Sequence, residues 1–222
     1  MIQKVPIPTV KRFPAYLRIL REAEEAGVST ISATALAQDL ELNPIQVRKD
    51  LALTGIEGKP RSGFVIRELI DAIIHTLGWH NTTDALIVGA GNLGTAIAKY
   101  AGFEAYGLKI VGMFDRDPAK IGSMIAGFKV RPIEDLGPFI RDNNVAIGVI
   151  TVPSGCAQCV ADTLVECGIR GIWNFAPKAL TVPSDIVVQK TDLATHFAVL
   201  SVKLGKKISD AEALEASEDM IN

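Results

Sequence analysis

Gly89, Gly91 and Gly94 complete a G-x-G-x-x-G run inside ALIVGAGNLGTAIAKY (Ala85–Tyr100). At that spacing the first glycine permits a tight turn. The second lets the backbone approach a pyrophosphate, and the third lets a helix pack on the preceding strand. The start of that helix then offers unpaired N–H groups to phosphates. A second strand-like stretch, KIVGMFD, ends at Asp115, 21 residues after Gly94. A carboxylate there can accept hydrogen bonds from an adenosine ribose. Its charge also repels a 2′-phosphate, which favours NAD over NADP. Arg116, next in sequence, is the residue that could accommodate such a phosphate.

Two further apolar runs end in small or polar residues: VAIGVITVP (Val145–Pro153) and GIWNFAP (Gly171–Pro177). Ligands of open α/β sheets bind at the carboxyl edge. Thr151, Val152, Pro153, Asn174, Phe175 and Ala176 are therefore candidates to line the nicotinamide side. Ordinary loop chemistry is the alternative reading of each.

A dehydrogenase needs a proton donor beside the hydride. The Tyr-x-x-x-Lys pair is missing, because Tyr16, Tyr100 and Tyr106 are followed four residues on by Leu20, Glu104 and Ile110. His75 and His80 precede the sheet, and His196 falls in the last helix-like stretch, DLATHFAVLSVKL. No separate substrate domain is expected after the sheet, and no catalytic residue is assigned. Cys156-x-x-Cys159 near a helix start could form a thiol switch, since that setting lowers a thiol pKa. Small residues packing a helix on the sheet are the plainer reading. Zinc would need two more ligands, so no metal site is expected.

The elements that must position these residues separate by pattern. The first helix is expected from Pro14, which suits a first turn, to Gly27. Ser32 can cap a second, short helix. Asn43 is a strong N-cap for a third, with Pro44 at its first position and Gln46 where a capping box wants Glu or Gln. Val47 and Leu51 face its core, leaving Gln46, Lys49 and Ala52 around the helix and Arg48 on the flank. GIEGKPRSGFVI then suits a tight basic hairpin.

Short helix, turn, capped helix and basic hairpin is the layout of a winged helix-turn-helix. Its third helix enters the major groove, and its cations hold phosphates. The DNA-facing candidates are Asn43, Gln46, Arg48 and Lys49, with Lys11, Arg12, Lys59 and Arg61. A helical protein-interaction domain with solvated charges is the alternative. Bulk charge does not decide: residues 1–80 hold 10 Lys and Arg against 9 Asp and Glu, and the remainder holds 13 against 16.

No apolar run is long enough to span a membrane, and MIQKVPIPTVKRF lacks the apolar core of a signal peptide. Three cysteines make no even disulfide framework, so a reducing cytoplasm is expected. The fold class expected is α/β: a winged helix-turn-helix domain (1–80), then a Rossmann-like doubly wound parallel sheet (81–190). A C-terminal helix (191–205) and an acidic, mobile tail (206–222) follow. The tail has five acids and no Lys or Arg from Ile208 onward.

Taken together, VKRFPAYLRIL, QVRKDL, VGAGNLGTAIAKY, FDRDPAKIG, TVPSGCAQCVADTLVECGIRGIWNFAP and DLATHFAVLS resemble the Rex family of redox-sensing transcriptional repressors over nearly the whole chain. The resemblance implies a homodimer that binds operator DNA when NAD⁺ dominates and releases it when NADH accumulates. It places Gln46, Arg48 and Lys49 on the recognition helix. Gly89, Ala90, Gly91, Asn92, Leu93, Gly94 and Asp115 fall on the dinucleotide, and Tyr100 near cofactor and dimer contacts. It implies that the last helix swaps into the partner subunit. Asp192 at its start would pair with Arg12 of the partner subunit in one state only. Two recognition helices related by a two-fold axis call for a palindromic operator.

The sequence departs from the family at ALTG (Ala52–Gly55), where Ser-Tyr-Phe-Gly is usual. It departs again at KPRSGF, where Arg-Gly-x-Gly-Tyr is usual, and in its Cys-x-x-Cys pair. A small NAD(P)-dependent oxidoreductase with an accessory domain, or a CoA- or other nucleotide-binding regulatory module, are the competing functions.

Overall fold

The computed structural model describes residues 5–219. The side chain of His196 and the acidic side chains from Asp210 onward, both weighed above, lie outside the described residues, as do Met220–Asn222. The chain divides into two compact units. One comprises Met1–Thr82 with Gly102–Leu108, and the other Thr83–Ala101 with Lys109–Asn222.

The first unit runs α1 (Ile7–Glu25), β1 (Thr30–Ile31), α2 (Ala33–Asp39), α3 (Pro44–Ala52), β2 (Phe64–Val65) and α4 (Ile66–Leu77). Helix α1 begins a full turn or more before Pro14, which sits inside it. Pro8, in the first turn, takes the place expected of Pro14, where a missing N–H costs nothing. The other caps follow the pattern. Ser32 accepts from Ala35 N at 3.0 Å and Asn43 from Ile45 N at 2.8 Å. Strands β1 and β2 pair antiparallel, and Lys59 and Gly63 exchange two backbone bonds of 2.8 and 2.9 Å to close the hairpin. Phe13, Tyr16, Leu17, Leu36, Val47, Leu51, Leu69 and Ile73 fill one core.

Gly102–Leu108 group with this unit, although the sheet brackets them in sequence and Leu108 opens one of its strands. Tyr106 packs on Trp79 with ring centroids 5.0 Å apart, and Arg21 Nη2 donates to Ala105 O at 3.2 Å.

The second unit contains β3 (Thr83–Val88), α5 (Asn92–Lys99), β4 (Leu108–Asp115), β5 (Met124–Ile125), β6 (Phe128–Pro132), α6 (Leu136–Asn143), β7 (Ile147–Ile150), α7 (Ser154–Glu166), β8 (Gly171–Asn174), β9 (Val187–Lys190) and α8 (Leu193–Asp219). The sheet order is β5-β6-β4-β3-β7-β8-β9. Without the short antiparallel edge strand β5, this is the doubly wound order 3-2-1-4-5-6. Pairings β3–β7, β4–β6, β7–β8 and β8–β9 are parallel. Leu86, Val88 and Ile150 from the strands pack with Leu136, Ile140, Ala161 and Leu164 of α6 and α7.

Helix α8 does not stop near residue 205. It continues to Asp219, where a mobile acidic tail was expected. The segment after Gly205 contains no Gly or Pro, and Ala, Glu and Lys, all strong helix formers, recur along it. Among the described residues no helix is long and apolar enough to cross a membrane, and no cluster could hold a metal ion.

Candidate dinucleotide cleft and DNA-facing helix

The chain leaves β3 and crosses to β4 on one side, then returns through β7 on the other. This reversal opens a crevice at the carboxyl ends of β3 and β7, where open α/β sheets bind ligands. A cavity of about 740 Å³ lies there, within the range of small-molecule sites. Gly89 turns with φ 111°, and its N–H donates to Phe114 O at 2.8 Å. A Cβ on Gly89 would stand 2.9 Å from the Thr151 backbone, and one on Gly94 would collide with the Gly89 carbonyl oxygen. A Cβ on Gly91 would meet nothing within 4 Å. Gly89 and Gly94 are thus required by the turn itself, whereas the space over Gly91 is open, as a phosphate would need.

Asp115 ends β4 and is largely buried. Its Oδ2 accepts from Ala90 N at 2.8 Å and from Lys120 Nζ at 3.2 Å, and its Oδ1 from Asp117 N at 2.9 Å. Burial pushes this carboxyl up. The Asp117 and Ala90 N–H groups and Lys120 outweigh burial and hold it below the usual carboxylate range. Three donors leave about one of a carboxylate's four lone-pair sites for a ribose hydroxyl.

The cavity brings together Gly89, Gly91, Leu93, Asp115, Thr151, Val152, Pro153, Phe175 and Ala176 from the sequence expectations. It does not include Asn174. That side chain is buried, donates to Lys178 O at 2.8 Å and accepts from Ala176 N at 2.9 Å. Asn174 therefore shapes the loop after β8 instead of facing a ligand. Ala90, Asn92, Gly94 and Tyr100 also lie off the lining. Ala90 and Gly94 act through the turn, and Tyr100 ends α5, half exposed. Lys120, Arg116 and Cys156 line the cavity without having been assigned to it. Lys120 was legible only as a cation five residues beyond Asp115. All three cysteines are free thiols.

In the first unit α3 presents Gln46, Arg48 and Lys49 as exposed residues, with Lys59 and Arg61 exposed on the hairpin. Ile45, exposed at the helix start, was passed over although an apolar side chain there suits a thymine methyl. A groove of about 700 Å³ between α3 and the hairpin is lined by Arg48, Lys59, Arg61, Thr34 and Phe64 among others. Lys11 is exposed on α1.

Asp50, on the core face of α3, is 1% exposed. Its carboxylate accepts from Arg12 Nε at 2.6 Å and Nη2 at 2.8 Å, from Tyr16 OH at 2.7 Å, Thr9 Oγ1 at 2.9 Å and Gln46 Nε2 at 2.9 Å. Burial alone would raise its pKa. The bonds from Arg12, Tyr16, Gln46 and Thr9 overcome that and bring it to about 2. Arg12 is held in its cationic form chiefly by the bond to Asp50, and burial next to Asp50 pushes the Tyr16 hydroxyl well above its ordinary value.

Two expectations change here. Arg12, read as a free surface cation, is the part-buried ion-pair partner of Asp50, which takes up its Nε and Nη2 and leaves it fewer donors for a phosphate or partner-subunit contact. Gln46 does not reach back to the cap of its helix but along it, to Asp50. The signal for Asp50 was present: it shares a helical face with Val47 and Leu51, where a lone carboxylate needs a partner.

A winged helix-turn-helix unit followed by a Rossmann unit with a dinucleotide turn defines a nucleotide-responsive DNA-binding class. Comparisons with known proteins agree. Residues 4–52 match a family described as putative DNA-binding protein N-terminus, and residues 80–178 match one described as CoA binding domain. The redox-sensing transcriptional repressor Rex of Treponema denticola is 44% identical over 206 residues, 92% of this chain and 98% of that protein. RSP, a Rex-family repressor, has crystal structures in complex with β-NADH and in complex with β-NAD⁺ and operator DNA. Both complexes superpose with a TM-score of 0.84 and cover 94% of this chain. They cover 98% and 96% of the RSP chain at 33% and 34% identity, respectively. The chain belongs to the Rex family of redox-sensing transcriptional repressors.

Proposed function

We propose that this chain is a homodimeric repressor that binds palindromic operator DNA in the presence of NAD⁺ and releases it when NADH binds. Residues 1–80 carry the DNA contacts: Gln46, Arg48 and Lys49 on α3, with Asn43 at its start and Lys11, Lys59 and Arg61 on phosphates. Residues 81–190 hold the dinucleotide. The residues lining the cavity contact it, and Ala90, Gly94 and Asn174 shape its walls. Asn92, the first residue of α5, and Tyr100, just past its end, flank it. The single observation that carries this reading is the cavity at the switch point, with Asp115 and the glycine turn on its wall, in a chain of this repressor family. Helix α8, with Asp192 just before it, supplies the subunit contact, and its exposed apolar side chains support that role. Three free thiols support a reducing, cytoplasmic setting.

The cofactor supplies a signal here, since its two redox forms can favour two conformations. A shift from 1:99 to 99:1 needs a preference of roughly 10⁴-fold for one state. Operator binding at fixed salt, titrated with NADH against NAD⁺, tests the function. Loss of affinity with NADH is expected, and an unchanged affinity would remove the sensing role. Competition among NADH, NADPH and CoA at the cleft separates this reading from the CoA-binding one.

A further inference from the structure

We propose that Asp50 is a positioning residue for base readout: it fixes the Gln46 carboxamide in one orientation, so that Gln46 reads an adenine in the operator. This rests on the assignment of α3 as the recognition helix.

The orientation follows from chemistry as well as distance. Asp50 is ionised and can only accept hydrogen bonds, and Gln46 Nε2 stands 2.9 Å from its Oδ1. Turning the carboxamide over would set Oε1 against the carboxylate, acceptor against acceptor. The flip that is often ambiguous for a glutamine is therefore decided. One hydrogen of the amide points to Asp50. With the hydrogen trans to Oε1 given to Asp50, the cis hydrogen and Oε1 remain, a donor and an acceptor side by side on an exposed residue. Adenine presents the complementary pair in the major groove, N7 as acceptor and N6 as donor. Guanine presents two acceptors and would face Oε1 with O6.

The carboxylate cannot swing away to release the amide. Arg12, Tyr16 and Thr9 of α1 hold both its oxygens at 2.6–2.9 Å. Gln46 is the third residue of α3, in the part of a recognition helix that meets base edges. A free glutamine loses rotamer freedom on docking, whereas this one is already ordered by a charged partner.

The test uses the full-length protein with NAD⁺ and a random duplex library, reading base preference position by position. Wild type should enrich a palindrome. Gln46→Ala should lose an adenine preference of roughly tenfold at one symmetry-related pair of positions and keep the others. Asp50→Asn should flatten the same pair, because its side chain can present either a donor or an acceptor to Gln46. The double variant should flatten it no further, which a merely structural role for Asp50 does not predict. An unchanged Gln46→Ala profile, or a loss at a position without adenine, overturns the proposal. A folded Asp50→Asn with the wild-type profile overturns the positioning role. Gln46→Ala alters only an exposed side chain, so its result stands even if Asp50→Asn does not fold. If wild type enriches no sequence, the repressor reading itself fails, and this proposal with it.

Discussion

Thr151 Oγ1 lies 2.8 Å from the Gly89 carbonyl oxygen and 3.1 Å from that of Val88. One hydroxyl hydrogen thus ties the end of β7 to the end of β3, across the crevice where the strand order reverses. Thr151→Val keeps the shape and removes the tie. An ordinary hydrogen bond contributes about 1 kcal/mol, so NADH affinity should fall about fivefold. Calorimetric titration checks this, and an unchanged affinity would mean the glycine turn holds its own shape.

The glycines of that turn should separate folding from binding. Gly94→Ala drives a Cβ into the Gly89 carbonyl, so α5 must lift from β3. Both melting temperature and dinucleotide affinity should drop. Gly91→Ala adds a methyl where nothing stands within 4 Å. Its melting temperature should match wild type while NADH binding weakens at least tenfold, leaving operator binding insensitive to NADH. Thermal melts with and without NADH distinguish the two.

Much of this site could be read before folding. G-x-G-x-x-G, Asp115 and the strand ends at Thr151 and Phe175 come from a local pattern of strand, turn and helix. That pattern carries its own geometry. Long-range polar partnerships could not be read. Arg12, Tyr16 and Thr9 on Asp50 depend on which helix faces which, and no periodicity encodes that. Arg12 looked like a surface cation because its neighbours Lys11 and Arg18 are surface cations. Asn174 looked like a lining residue because strand ends usually face ligands, but its side chain turned back to hold its own loop. Strand β9, VVQK, is mostly exposed, so it lacked the apolar run that marks the inner strands.

Asp115 should govern the choice between NADH and NADPH. Arg116 and Lys120 line the same cavity, and Asp115 pairs with Lys120. Asp115→Asn keeps an acceptor for Ala90 N while removing the negative charge. The NADPH-to-NADH affinity ratio should then rise by about tenfold or more, since a 2′-phosphate meets two cations and no carboxylate. Competition titration measures it, and a constant ratio would place the adenosine ribose elsewhere.

Acid should loosen the first unit through Asp50. Its folded pKa, about 2, lies below its ordinary value of 3.8. The carboxylate therefore adds stability that is fully present above about pH 4 and is lost as pH falls towards 2. The difference corresponds to about 2 kcal/mol. Trp79, packed on Tyr106 in the same unit, reports it in a Trp173→Phe background. Urea midpoints followed by Trp79 fluorescence should decline from pH 5 to 2.5 in wild type, and Asp50→Asn should flatten that decline. Parallel declines in both proteins would assign the effect to other carboxylates.

Helix α8 carries Phe197, Leu200, Leu204 and Ile208 at spacings of three, four and four, all more than half exposed. That spacing makes one apolar stripe, and a stripe so exposed on one chain calls for a cover. In a two-fold dimer each substitution acts twice. Burial of one leucine is worth about 1.5 kcal/mol or more, so Leu200→Asp should cost the dimer at least about 3 kcal/mol, or roughly 100-fold in its dissociation constant. Sedimentation at micromolar concentration should show monomer, with the β3–β9 sheet intact by circular dichroism and NADH still bound. Operator affinity should fall with it, because a palindrome rewards two recognition helices held at a fixed spacing. A Leu200→Asp protein that remains a dimer would move the subunit contact to another surface and leave the stripe on α8 to a different partner.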